Sequence, residues 1–126
     1  MTYQLGPKSL ARLEGVHPDL VKLVKLAIEL SEVDFTVTEG LRTLERQRQL
    51  VAAGASKTLN SRHLTGHAID LAPLIGGVVC WNWPPFYKIA DAMKRAANSS
   101  GVPMVWGGDW KFKDGPHFEL DRKVYP

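Results

Sequence analysis

Hydrophobic residues recur at helical spacing in three stretches of the chain. Pro18 suits the first position of a helix, and apolar side chains then follow at intervals of three or four residues. Thr43 can cap a second helix that ends before Gly54, and Gly101 marks the end of a third. Residues 1 to 17 show no clear period, although Leu10, Leu13 and Val16 could form a short helical face. The predicted helices span about Pro18 to Ser31, Leu44 to Ala53, and Pro84 to Ala97.

Alternation of polar and apolar residues predicts the strands. The stretch from Asp34 to Thr38 alternates and is rich in β-formers. The next strand is expected to stop at Pro73, and Gly76–Gly77 predicts a hairpin turn after it. The further predicted strands are His67 to Ala72, Val78 to Trp81, Val102 to Trp106 and His117 to Leu120. Because short turns connect most of these strands, we expect an α+β fold with a small antiparallel sheet flanked by about three helices.

The composition is typical of one globular domain covering residues 1–126. The chain is 44% hydrophobic and 23% charged, which is enough apolar material to bury a core. No window approaches the run of about 18 apolar residues that spans a membrane, and the first residues lack the apolar segment of a signal peptide. We therefore expect a monomer that is made in the cytoplasm without a leader and does not insert into membranes.

Charge and cysteine content narrow the possible partners. The net charge of +3 favours a weak attraction to polyanions such as an anionic cell wall. Arg42, Arg46 and Arg48 form the densest basic segment, but helical spacing scatters them and no nucleic-acid motif accompanies them. Nucleic-acid binding is thus the weakest alternative, and no nucleic-acid partner is expected. The single cysteine, Cys80, excludes a thiolate metal site, so any metal must be held by His, Asp or Glu.

The first of two polar clusters places two imidazoles and a carboxylate around Gly66. Since alternate residues of a strand face opposite sides, His67 and Asp70 do not share a face, which excludes His67. A bend at Gly66 lets His63 and Asp70 converge. With His117 from the second cluster, they make the three-ligand set of a catalytic Zn²⁺ site, which leaves a fourth position to water. The alternative is that these histidines are ordinary polar residues whose ring nitrogens form hydrogen bonds with backbone carbonyls.

A carboxylate beside such a site would act as general base and then donate a proton to the leaving amine. Asp114 and Glu119 are the candidates, because a rigid Gly-Pro turn joins Asp114 to His117 and Glu119 shares a strand face with that histidine. Glu119 can instead orient the imidazole or sit in solvent. Arg42 is a candidate donor to a developing oxyanion. Hydrolysis of an amide is the natural use of this set.

Aromatic residues lie near the second cluster in sequence. Trp106 and Trp110 are candidates for lining the cleft and binding substrate. Core packing is the competing use, since aromatic side chains dominate the cores of small domains.

The motifs resemble those of a known family. Ser61-x-His63-x-x-Gly66-x-Ala68-x-Asp70, followed by Asp114-Gly-Pro-His117, resembles the zinc D-alanyl-D-alanine carboxypeptidase and dipeptidase superfamily, which shares its fold with the Hedgehog signalling domain. The closer likeness is to phage L-alanyl-D-glutamate endopeptidase endolysins, and it covers roughly residues 5 to 122. Three further segments are similar to that branch: Gly15-Val-His-Pro-Asp-Leu20, Glu39-Gly40-Leu-Arg42 and Trp106-Gly-Gly-Asp-Trp110.

The resemblance implies a Hedgehog-like zinc fold and a role for each matching residue. Arg42 and Ser61 would bind substrate or stabilise the reacting carbonyl. Asp114 would be the catalytic acid/base, at a position where the wider superfamily often has Glu. The implied zinc ligands are His63, Asp70 and His117.

The implied substrate is the peptide stem of peptidoglycan, cut between L-alanine and D-glutamate, with bacterial lysis as the outcome. Such an enzyme would reach the wall from the host cytoplasm through a holin-type lesion. One alternative is a D,D-carboxypeptidase or dipeptidase that trims terminal D-alanine. Another is a zinc-stabilised binding module without chemistry, although a purely structural site has no need of Asp114.

Overall fold

The computed structural model describes residues 2–56 and 58–126, which form four α-helices and one antiparallel sheet. The helices are α1 (Pro7–Arg12), α2 (Pro18–Leu30), α3 (Leu44–Ala52) and α4 (Trp83–Ser100). The strands are β1 (Asp34–Glu39), β2 (Ala68–Ile75), β3 (Val78–Val79), β4 (Met104–Trp106) and β5 (His117–Leu120), and two 3-10 turns span Arg62–Thr65 and Gly107–Asp109. The predicted α+β class is confirmed, with one more helix than expected.

Strand β2 is the centre of the sheet. The main strand order is β1-β2-β5-β4, and β3 pairs with the far end of β2. All of these pairings are antiparallel. In the β2–β5 register, Asp70 lies directly opposite His117, so both project from the same face of the sheet.

The other face of the sheet carries the core. Helix α2 contributes a stripe of fully buried side chains, and Phe35 and Val37 of β1 pack in the same cluster. Ile69 and Leu71 of β2 also belong to this core. Because strand side chains alternate, Asp70 between them faces the opposite side. The core thus directs one carboxylate of the central strand away from the helices.

Strand β2 continues past Pro73 to Ile75, so the expected end at the proline was wrong. The Pro73 carbonyl accepts a 2.9 Å hydrogen bond from the Cys80 amide, and the Leu71 amide donates to Pro116 at 2.9 Å on the same edge of β2. Residues two apart direct their backbone groups to the same side. The side of Pro73 that lacks an N–H therefore faces this edge, in the gap between β5 and β3. The hydrogen bonds between β2 and β1 are unaffected.

Helix α1 was suggested only by the weak spacing of Leu10, Leu13 and Val16, because its own buried face is polar. Ser9 is its buried residue, and the Ser9 hydroxyl bonds the Thr36 hydroxyl and the Val37 amide, each at 2.9 Å. A six-residue helix of this kind shows no apolar period. No helix among the described residues is both long and apolar enough to cross a bilayer.

Candidate active site

The predicted site residues meet in a cleft of about 780 Å³ on the Asp70 side of the sheet. Its walls come from the Arg62–Thr65 turn, the ends of β2 and β5, and the loops beside them. Those predicted residues that line the cleft are Arg42, Ser61, His63, Asp70, Trp110, Asp114, His117 and Glu119.

Three side chains converge closely enough to hold one metal ion. Ligand atoms of His63, Asp70 and His117 all lie within 4.8 Å of one another. Asp70 Oδ1 is 3.3 Å from His63 Nε2 and 3.5 Å from His117 Nδ1. That oxygen is buried and has no hydrogen-bond partner. Since an unpaired buried carboxylate oxygen is costly, two nitrogens and this oxygen fit a cation such as Zn²⁺.

Each imidazole is oriented by a partner on its outer side. His63 Nδ1 lies 3.0 Å from the Gly40 carbonyl, and His117 Nε2 lies 2.9 Å from Glu119 Oε1. Both partners are acceptors, so each of these ring nitrogens carries the hydrogen. The lone pairs of His63 Nε2 and His117 Nδ1 are then directed towards Asp70, as metal ligation requires.

Neighbouring charges favour a carboxylate at Asp70 and a bound proton at His117. Burial alone would raise the pKa of Asp70, but the adjacent His117 and His63 lower that pKa well below its usual range. Burial alone would lower the pKa of His117, but Asp70 and Glu119 together raise it to about 9. A bound cation would take over the charge of that proton, so metal binding is expected to release it.

Local structure explains why Ser61 and Gly66 flank His63. Ser61 caps the 3-10 turn, since its hydroxyl accepts a 3.2 Å hydrogen bond from the His63 amide. Gly66 ends the turn in the left-handed region, with φ of +76°. The predicted bend is therefore present, and it reverses the chain into β2. Ser61 has a structural contact in addition to its place on the cleft wall.

Arg42 is held firmly at the cleft. Its guanidinium makes two hydrogen bonds to the Glu39 carboxylate, at 2.7 and 2.6 Å, and one to Gln47 Oε1 at 2.7 Å. Arg42 Nη2 also lies 3.8 Å from Asp70 Oδ2. Sequence reasoning missed Gln47, which is fully buried although polar. The available signal was its position three residues from both Leu44 and Leu50, on the apolar side of α3.

Asp114 is built into the turn that begins β5. Its amide donates to the Gly107 carbonyl at 2.9 Å, and its carbonyl accepts from the His117 amide at 3.3 Å. A Cβ at Gly107 would lie 3.0 Å from the Cβ atoms of Asp114 and His117, so the three residues pack tightly. Although Asp114 is an exposed residue, the cleft walls desolvate its carboxyl and raise its pKa, and the charge of Asp70 raises it further.

The two candidate tryptophans have different surroundings. Trp110 lines the cleft, 38% exposed, with its ring 4.9 Å from the His117 ring. Trp106 is only 4% exposed, and its indole Nε1 donates to the Gly115 carbonyl at 2.7 Å. The expectation that Trp106 lines the cleft was wrong, because its ring stacks on Phe118 in the core.

His67 lies outside the triad, as strand parity predicted. Its Nδ1 is 2.7 Å from the Thr65 hydroxyl, and its ring centroid is 5.5 Å from that of His17. His17 itself caps α2 by accepting a hydrogen bond from the Asp19 amide.

An antiparallel sheet that presents a His-Asp-His cluster beside an acidic cleft residue is the arrangement expected of a metallopeptidase. The model of one family, phage L-alanyl-D-glutamate peptidase, matches residues 1–126. The chain belongs to this family.

A curated relative and two solved structures resemble the chain over most of its length. The L-alanyl-D-glutamate peptidase of Escherichia phage T5 is 36% identical over 99% of this chain and 94% of the phage protein. The crystal structure of the Serratia marcescens L-Ala D-Glu endopeptidase ChiX is 52% identical, with a TM-score of 0.91 over 95% of this chain and 91% of ChiX. The D,D-dipeptidase VanXYg shares the fold at 19% identity, with a TM-score of 0.52 over 83% of this chain and 50% of VanXYg.

Proposed function

We propose that the protein is a zinc-dependent endopeptidase that hydrolyses the L-alanyl-D-glutamate bond of peptidoglycan stem peptides. The observation that carries this proposal is the unpaired Asp70 oxygen between two imidazoles, in a cleft that also contains Asp114. Membership of the phage peptidase family and the name of ChiX support the choice of bond.

The metal would be held by His63 Nε2, Asp70 Oδ1 and His117 Nδ1. When bound, Zn²⁺ supplies Lewis acidity, which polarises a carbonyl and lowers the pKa of water. Glu119 and the Gly40 carbonyl keep the two rings in the orientation that this ligation needs.

Asp114 would move the proton. Its carboxylate accepts a proton from water as the oxygen attacks the L-alanyl carbonyl carbon, and it returns that proton to the D-glutamyl nitrogen as the C–N bond breaks. A carboxyl group with a raised pKa suits both steps better than an ordinary aspartate, because its pKa lies closer to the working pH.

Arg42 and Trp110 would position the substrate. Glu39, Gln47 and Ser61 use four of the five N–H groups of Arg42, and the remaining donor, on Nη2, can reach an oxyanion or a stem carboxylate. Trp110 offers a partly exposed ring beside His117, and the Ser61 hydroxyl lies 3.5 Å from Arg42 Nη1. We infer that the enzyme acts as a monomer on the wall after release through a membrane lesion, without a nucleic-acid partner.

Metal content and cleavage products on purified peptidoglycan test the proposal together. Mass spectrometry should find new N-terminal D-glutamate, whereas loss of D-alanine alone would indicate a D,D-carboxypeptidase. A strong chelator at equilibrium should abolish cleavage, and Zn²⁺ should restore it. His63→Ala should lose metal and activity, while the matched variant His67→Ala should retain both, because His67 lies outside the triad.

A further inference from the structure

A second groove lies beside the turn that carries Asp114. Its volume is about 230 Å³, and its walls are Trp81, Trp83, Phe86 and residues 113–116. We call it the aromatic groove. Lys113 and Asp114 line both this groove and the metal cleft, so the two are continuous at the candidate acid/base.

The aromatic groove presents two indoles to solvent in fixed positions. Trp81 is 64% exposed and Trp83 is 40% exposed. Phe86 stacks under Trp81 with 6.2 Å between centroids, and Trp83 meets the buried Trp106 edge-on at 6.5 Å. Large exposed aromatic surfaces that are already ordered are typical of binding sites, because little conformational entropy is lost when a ligand covers them.

The backbone brings Trp83 close to the candidate acid/base. A Cβ at Gly115 would lie 3.3 Å from the Trp83 ring, so the indole packs directly against the residue after Asp114. A ligand on Trp83 would therefore lie beside the Asp114–Gly115 backbone, a short distance from the metal cleft that Asp114 also lines.

The chemistry of the substrate requires a sugar at this distance, and this step rests on the proposed function. In peptidoglycan, the nitrogen of L-alanine is joined to the lactyl group of N-acetylmuramic acid. One residue spans at most about 3.6 Å, so the alanine and the lactyl unit together place the sugar ring within about 7 Å of the reacting carbonyl. A sugar must then lie at the rim of the metal cleft whenever intact wall is the substrate.

We propose that the aromatic groove binds this glycan strand. The face of a pyranose ring carries polarised C–H groups, which are attracted to the electron-rich faces of aromatic rings, while its edge carries hydroxyl and acetamido groups. Trp81 and Trp83 supply the faces. Lys113, whose Nζ lies over the Trp83 ring at 5.8 Å from its centroid, supplies a hydrogen-bond donor next to that face. The groove would make the enzyme prefer glycan-linked stems to free stem peptides.

Paired substrates test this preference. A disaccharide-tetrapeptide and a sugar-free tetrapeptide that keeps the lactyl amide on L-alanine, here called the free tetrapeptide, contain the same scissile bond and differ in the sugar. Trp81→Ala should lower kcat/KM on the disaccharide-tetrapeptide about tenfold and leave the free tetrapeptide unchanged, and Trp81→Ala with Trp83→Ala should lower it further. Tyr3→Ala removes a similarly exposed aromatic from a different pocket and should change neither value. Melting temperatures identify any variant that fails to fold. Because Trp81 is highly exposed, Trp81→Ala is the variant whose activity is least affected by changes in folding.

Binding can be measured without catalysis. Glycan strands stripped of their stems should shift the indole N–H resonances of Trp81 and Trp83 in the zinc-loaded protein, and the shifts should disappear in Trp81→Ala with Trp83→Ala. Equal losses on both substrates, or glycan strands that leave the indoles unshifted, would overturn the glycan site even if stem peptides are cleaved. Failure to cleave either substrate would instead count against the proposed function, while glycan binding would still be measurable.

Discussion

The two histidines of the candidate metal site are held in different ways. His63 donates its Nδ1–H to a backbone carbonyl, that of Gly40, at 3.0 Å. His117 donates its Nε2–H to a side-chain carboxylate, that of Glu119, at 2.9 Å. We refer to residues 61–70 as the backbone-held half and to residues 114–119 as the carboxylate-held half.

This difference determines which substitutions disturb each half of the site. A backbone carbonyl is neutral and no substitution removes it, so the backbone-held half depends on chain conformation at the Arg62–Thr65 turn and Gly66. Glu119 is charged, buried, and itself placed 3.3 Å from Arg122 Nε. The carboxylate-held half is therefore open to changes of charge that leave the backbone in place.

The largest effect is expected at Asp114, because its carboxylate is the group proposed to move the proton in the cleft. Asp114→Asn should keep the fold and the bound zinc but lower kcat about 10² to 10⁴-fold, the usual contribution of a general acid/base. Steady-state hydrolysis of a stem peptide and metal content measure the two properties separately. Asp109→Asn, which removes an exposed partner of Lys94, is the matched control and should retain activity. Full activity in Asp114→Asn would refute the assigned role.

The ligands were predictable because they obey local rules. Strand alternation separated Asp70 from His67, and a glycine with positive φ allowed His63 to turn back towards the sheet. The supporting partners obey no such rule. The partner at Gly40 is a backbone carbonyl, which no residue type identifies in a sequence. Gln47 is a residue type that usually faces solvent, although it is fully buried here.

Long-range packing explains the wrong expectations. Trp106 lies near the second cluster in sequence, but its strand position turns the indole into the core, against Phe118. Helix α1 is stabilised through Ser9 by β1, a contact that spans more than twenty residues. Pro73 stays within its strand because its edge faces a gap between two neighbouring strands. Each of these outcomes depends on which elements become neighbours, and a local pattern does not contain that information.

A smaller effect is expected at Glu119. Burial alone would raise the pKa of Glu119, but its contacts with His117 and Arg122 lower it, so the carboxylate stays ionised into the acid range. Glu119→Gln keeps the size and removes the charge, and it should weaken zinc binding about 10 to 100-fold. Competition with a chelating dye measures the affinity. Arg122→Gln, at a side chain that is 66% exposed, should change it much less. Equal affinities for Glu119→Gln and the parent protein would mean that the His117 partner does not tune the metal.

The smallest effect on activity, but a measurable one on stability, is expected in the backbone-held half at Gly66. Gly66 and Gly54 share the same φ of +76°. Replacing either glycine with alanine places an L-residue in the left-handed region, at a cost of about 1 to 2 kcal/mol. A Cβ at Gly66 would also come within 2.6 Å of the Gly15 carbonyl, whereas a Cβ at Gly54 would meet nothing within 4 Å.

Gly66→Ala should therefore lower the free energy of unfolding more than Gly54→Ala, by about 1 to 2 kcal/mol beyond the shared cost. Relief of the contact with Gly15 would strain the 2.8 Å hydrogen bond from the His17 amide to the Gly66 carbonyl, which ties the turn to the start of α2. The difference between the two variants in free energy of unfolding, measured in urea, reports the contact with the Gly15 carbonyl, because the two glycines have the same backbone conformation. The ring of His63 keeps its Gly40 partner in both, so hydrolysis below the melting transition should change less than tenfold. Equal destabilisation by the two substitutions would show that dihedral strain alone limits the backbone-held half.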